Sequence, residues 1–158
     1  MSDKQVLGRR PSLECGERYA HNWCEWDAVV LYVRYVAPDD IKAKARRWPS
    51  YQGGGLDLTD TRRLATILER ALEADRVWDF YGNQAECILD IWAADRRDAT
   101  QIVFEDIPFS EINENQLARR LTNKMREFAK FLRRCGGFRF AGAPLAAVPS
   151  EYKHLVSV

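Results

Sequence analysis

Residues 26–36 read WDAVVLYVRYV, and the conformation of this run decides the fold. Val29, Val30, Val33 and Val36 are β-branched, and Tyr32 and Tyr35 are aromatic. Such side chains suit the pleated surface of a strand. The run therefore predicts a strand over Asp27–Val36, led in by the aromatic Tyr19, Trp23 and Trp26 and stopped by Pro38.

Downstream of Pro38, Asp39 and Asp40 can cap a short helix on which Ile41, Ala45 and Trp48 fall at i, i+4 and i+7. Pro49 closes it, and Tyr51-Gln52-Gly53-Gly54-Gly55 is a loop. Thr59 is placed as an N-cap, and Leu64, Ile67, Leu68, Ala71 and Leu72 make one apolar stripe, which predicts a helix over 59–75. The segment ECILDIWA (86–93) carries two periods. Ala85, Leu89 and Trp92 have helical spacing, whereas Cys87, Leu89, Ile91 and Ala93 alternate with Ile88, Asp90 and Trp92. The polar ADRRDA that follows, and the β-formers of TQIVFEDI (100–107), favour a hairpin over 86–107.

The best-marked element is a helix over 114–135. Asn113 and Gln116 have capping-box spacing, and Ile112 is placed to staple against Leu117. Leu117, Leu121, Met125, Phe128, Phe131, Leu132 and Cys135 keep a helical period, and Gly136 offers a left-handed C-cap. Phe138-Arg139-Phe140 reads as a last strand. Residues 1–16, polar and broken by Gly8, Pro11 and Gly16, read as a loosely ordered N-terminal arm, 17–141 as a single α+β domain and 142–158 as a C-terminal tail.

The expected class is α+β, a mostly antiparallel sheet with two main helices on one face. Set out in order, the elements match the ferredoxin-like β-α-β-β-α-β pattern, with an insertion of about twenty residues after strand 1. In that sheet Val29, Leu31, Val33 and Tyr35 face the helices, as do Leu89, Ile91, Ile102 and Phe104. The second face then carries Val30, Tyr32, Ile88, Trp92 and Val103, too apolar to stand bare in water.

The 158 residues have a formal net charge of +1, but the charges are segregated. Asp57 to Glu111 holds 13 acidic against 6 basic residues, and Asn113 to Arg139 holds 8 basic against 2 acidic. Arg119, Arg120, Lys124, Arg126, Lys130, Arg133 and Arg134 line the polar circumference of the last helix. Clustering of this kind is the footprint of a polyanion or an acidic protein partner, or simply of a solvated helix.

Catalytic signatures are missing. His21 and His154 lie in the flanks, and no nucleophile motif such as GxSxG occurs. Cys15, His21 and Cys24 could supply three zinc ligands, but a paired CxxC knuckle is lacking, so neither metal nor another cofactor is expected. Glu86, Asp90, Glu105 and Asp106 match no metal motif. Gly53–Gly55 lacks a Walker lysine, and Asp57 and Asp60 oppose an anion there, so the glycines predict a hinge. Dispersed cysteines, no signal peptide and no apolar run long enough for a bilayer point to the cytoplasm, with free thiols and no membrane contact.

The function expected from these features is that of a non-enzymatic binding module, an adaptor, regulator or inhibitor. It docks a protein partner, or further copies of itself, through the apolar sheet face and the basic helix. A compact chain with five tryptophans is the type that phages and other mobile elements encode against host machinery. The alternative is a single-stranded nucleic-acid binder, with Tyr32 and Trp92 stacking on bases beside Arg34 and Arg139. LYVRYV (31–36) resembles the first strand motif of RNA-recognition domains. TQIVFEDI departs from that family's glycine-aromatic pattern, so no residue roles carry across.

Overall fold

The structure is a computed structural model that describes residues 5–95, 102–104, 107–108 and 111–141. Two short strands, β1 (Gln5–Gly8) and β2 (Arg18–Tyr19), lead into the helices α1 (Trp23–Val36), α2 (Asp39–Lys44), α3 (Leu58–Glu73) and α4 (Arg76–Asp95). A two-stranded unit follows, β3 (Ile102–Phe104) and β4 (Ile107–Pro108), then α5 (Glu114–Arg134) and β5 (Phe138–Ala141). The α+β character stands, but helix dominates and the main sheet has three antiparallel strands in the order β2-β1-β5.

The run 26–36 is helix, not strand. Asn22 accepts a hydrogen bond from the Glu25 amide at 2.8 Å, and the Glu25 carboxylate accepts one from the Asn22 amide at 2.9 Å. This capping box starts α1 in spite of its β-branched content. Trp26, Val29, Val30 and Val33, at i, i+3, i+4 and i+7, are all buried, so tertiary burial overrides a weak intrinsic preference. Ala37 ends the helix in extended backbone, as a residue before proline must.

The expected hairpin over 86–107 is also corrected. Residues 86–93 belong to α4, whose buried Val77, Tyr81, Ala85, Ile88 and Trp92 follow a helical period begun well upstream. β3 pairs with β4 instead. With strands 1 and 2 replaced by helices, the ferredoxin-like order is not found among the described residues. The predicted faces hold only in part: Val29 and Val33 are buried as expected, but so are Val30, Tyr32, Ile88 and Trp92, while Leu31, Tyr35 and Ile91 are exposed. Ile102, Val103 and Phe104 have side chains outside the described set.

Elsewhere the expected elements are found. Ile41, Ala45 and Trp48 are buried along α2 and the 3-10 turn Ala45–Ser50 that continues it. α3 carries its expected stripe but is capped two residues early, by Asp57, whose carboxylate accepts from the Asp60 amide at 2.8 Å. α5 has the Asn113–Gln116 capping box, buries Leu117, Leu121, Met125, Phe128 and Leu132, and ends before a left-handed Gly136. It packs against α1, α3 and α4. Phe128 is fully buried, 4.9 Å from the Tyr19 ring and 5.7 Å edge-on from Trp26.

Residues 5–8 do not form the loose arm suggested by polar composition, for β1 is the central strand and Val6 is wholly buried. The segment continues over the end of α5, where the Arg10 amide donates to the Cys135 carbonyl and the Ser12 amide to the Arg134 carbonyl. These bonds satisfy carbonyls that a helix end leaves without partners. The approach requires glycine: a Cβ on Gly16 would overlap the Arg134 carbonyl, and one on Gly8 the Gly16 carbonyl. The expected tail, 142–158, and residues 1–4 of the arm lie outside the described residues.

Two substitutions test this account in a thermal or urea melt. Phe128→Ala should cost on the order of 3–5 kcal/mol, since the cavity it leaves is walled by rigid rings. Gly16→Ala should destabilise by roughly 1–3 kcal/mol through overlap with backbone. A Gly16→Ala protein as stable as wild type would mean that the N-terminal segment does not clasp α5.

Candidate functional site

Burial redistributes the residues proposed for partner binding. Tyr32 is 1% exposed and sits among Phe80 and Tyr81, with ring centroids 5.0 and 6.0 Å away. Trp92 is also 1% exposed, its indole N–H turned toward Asp27 at 3.4 Å. Neither presents an open face on which a base could stack, which corrects the pairing of Tyr32 and Trp92 as surface platforms. Arg34 is exposed on α1, and Arg139 is half-buried on β5, paired with Leu7 of β1.

The basic helix is divided between structure and surface. Glu25, only 3% exposed, draws Arg120 (Nε to Oε2, 3.3 Å) and Lys124 (Nζ to Oε1, 3.7 Å) inward from α5. Lys124 also donates to the Ala20 carbonyl and lies 5.7 Å from the centre of the Tyr19 ring. Arg133 grips Glu69 with two nitrogens, at 2.6 and 3.2 Å, and donates to the Thr66 hydroxyl. Arg126 donates to Asn123 at 3.0 Å on its own helix. Arg119, Arg126, Lys130 and Arg134 are exposed, and helix geometry places them within an arc of about 80° along roughly 22 Å of α5.

Three surface residues that the strand reading hid now matter. Leu31 and Ile91 are 42% and 50% exposed and flank a hole of about 110 Å³ between α1 and α4. Its walls include Val30, Ile88 and Trp92, together with the charged Asp27 and Arg34. Cofactor pockets are commonly about 300–1,000 Å³, so this hole suits an inserted apolar side chain instead. Further along the same helices, Tyr35 is 67% exposed beside the half-buried Phe80. A helical wheel drawn for 26–36 would have separated Leu31 and Tyr35 from the buried side, but the alternating pattern placed them inside.

The potential zinc ligands are separated. Cys24 is buried in α1, Cys15 is exposed, and the ring of His21 is held by the Tyr19 carbonyl and the Tyr51 hydroxyl, both at 2.8 Å. Among the described residues no three His, Cys, Asp or Glu side chains gather as a metal site. Burial pushes the Cys135 thiol up to about 11, which keeps it protonated and unreactive at neutral pH. No helix among the described residues is long and apolar enough to cross a membrane.

No protein-family model matches the chain, and the curated proteins and solved structures hold no significant match.

His21 gives the site region a pH signature. Burial lowers its pKa below the usual 6.5, against the opposing bond to the Tyr19 carbonyl, and Lys124 lowers it further. A depressed imidazole means that the unfolded chain binds the proton more tightly, so stability is complete above about pH 6.5 and falls as pH drops below it. Asp60 and Asp40, held below the usual carboxylate range by hydrogen bonds from Lys44 and Arg63, act only in more acidic solution. Unfolding free energy measured between pH 7 and 5 should decline for wild type and flatten for His21→Phe. An equal slope in both proteins would assign the dependence to other groups.

Proposed function

We propose that the protein is a non-enzymatic binding module of the cytoplasm, an adaptor, regulator or inhibitor, that docks a partner protein on the seam between α1 and α4. One observation carries this reading: Leu31 and Ile91 stand exposed on either side of an apolar hole floored by Val30, Ile88 and Trp92. Large aliphatic side chains in water around a ready-made hole are the arrangement of a helix-in-groove interface, in which the partner supplies the knob. Arg34, which lines the hole and is exposed, would favour a partner that brings an acidic group beside its apolar knob. The seam replaces the apolar sheet face as the docking surface. A source in a phage or other mobile element fits the compact, tryptophan-rich chain but rests on type alone.

A second reading, nucleic-acid binding, retains one supporting observation. The exposed Arg119, Arg126, Lys130 and Arg134 form a single track along α5, spaced to follow a polyanion. Among the described residues of α5 no exposed aromatic accompanies the track to hold unstacked bases.

Leu31→Glu combined with Ile91→Glu should leave the melting curve nearly unchanged and weaken partner binding by at least about 2 kcal/mol, roughly thirtyfold. The check is affinity capture of the native partner by wild type and variant, with and without nuclease and across a salt series. Retention by the variant, together with loss on nuclease treatment and a steep salt slope, would replace the seam by the α5 track. Sedimentation of the purified chain would show whether the partner is a second copy.

A further inference from the structure

A second cleft collects positive charge from two parts of the chain. It has a volume of about 700 Å³ and is walled by Arg9 at the end of β1, Lys44 of α2, Arg46 and Arg47 of the following turn, and the glycines 53–55. Asp57 is its one acidic wall residue. The acidic neighbours that should repel an anion are already engaged. Asp57 caps α3 through the Asp60 amide, and Asp60 itself, 6% exposed, binds Lys44 at 2.6 Å and Arg63 at 3.0 Å.

What remains open is cationic and hydrogen-bond donating. Arg46 and Arg47 are exposed and make no side-chain hydrogen bond or ion pair with any described residue. Arg9 is fixed in place, with Nη2 donating to the Gly54 carbonyl at 2.7 Å and Nε to the Phe138 carbonyl at 3.2 Å. The amides of Gly53, Gly54 and Gly55 find no acceptor among the described residues. No side chain crowds Gly53 or Gly54, since a Cβ at either would meet nothing within 4 Å. Guanidinium forks and free backbone amides around one concavity are the donors that phosphate oxygens take up.

We infer that this cleft binds the phosphate or pyrophosphate group of a small phosphorylated molecule. The walls decide for a small ligand over a nucleic acid. They contain no aromatic ring to stack a base, and the cations converge on a concave site instead of forming a track. With Lys44 paired to Asp60, three arginines face the one carboxylate of Asp57, an excess of positive charge that suits a multiply charged phosphate better than a neutral ligand. The inference is independent of the α1–α4 seam.

The test is calorimetric titration of the full chain with inorganic pyrophosphate at constant ionic strength, alongside amide NMR. Saturable one-to-one binding is expected, with shifts centred on Gly53–Gly55. Arg46→Ala with Arg47→Ala should weaken it by about tenfold per arginine, as expected for lost charge-assisted bonds. Arg119→Ala with Lys130→Ala, which removes the same charge from α5, should leave it nearly unchanged. Absence of saturation, equal weakening by the two double variants, or shifts centred on α5 would overturn the inference. So would single-stranded oligonucleotides that outcompete pyrophosphate with an affinity rising with length.

Discussion

The Glu25 carboxylate organises much of this molecule. It is almost completely buried, and a buried carboxylate must be paired and hydrogen-bonded or it is severely destabilising. Its partners come from two directions: the Asn22 amide at the start of α1, and Arg120 and Lys124 from the middle of α5. The same group therefore nucleates α1 as a helix and fixes where α5 crosses it. Once that crossing is set, Trp26, one residue on, is carried against Phe128, and its indole N–H donates to the Trp48 carbonyl at 2.7 Å. The aromatic core grows from there to Phe138 and Phe131.

This constraint explains what could and could not be read from the amino acids. At Asn113–Gln116 the capping box was followed by polar, strongly periodic sequence, so cap and pattern agreed and the helix was legible. At Asn22–Glu25 the same signature was present, but the residues behind it were Val and Tyr. Their β-forming composition masks the cap. The sixteen-residue stripe of α3 and the buried positions of α2 were legible because each had a polar face that made the period visible. α4 was not, because the phase of its stripe is set upstream of 86–93, at Val77, Tyr81 and Ala85. The central strand β1 has four residues and little pattern, and its place depends on pairing with β5 more than a hundred residues away.

The candidate surfaces follow from the same facts. A strand over 27–36 sorts residues by alternation, whereas a helix sorts them by angle, and the two schemes exchange Leu31 for Tyr32. The seam with its hole could be seen only after that exchange. Recruitment of Arg120, Lys124 and Arg133 into pairs likewise shows why a count of cations overstates an electrostatic surface: the first two offset a buried charge and the third anchors α3. The cations of the cleft, in contrast, join the short run Lys44, Arg46 and Arg47 to the distant Arg9, and no linear scan would bring Arg9 to that run.

The cleft is also tied to the stability of the fold around it. Arg9 joins the Gly54 loop to β5, and the residue after it begins the clasp on the end of α5. Leu56, just beyond the glycines, exchanges backbone hydrogen bonds with Phe138 in both directions, at 2.8 and 3.2 Å. A ligand bridging Arg9, Arg47 and the glycine amides would therefore hold together three segments of the chain. Any ligand that binds only the folded arrangement stabilises it by mass action, and here the gain would fall on the N-terminal clasp and the sheet edge.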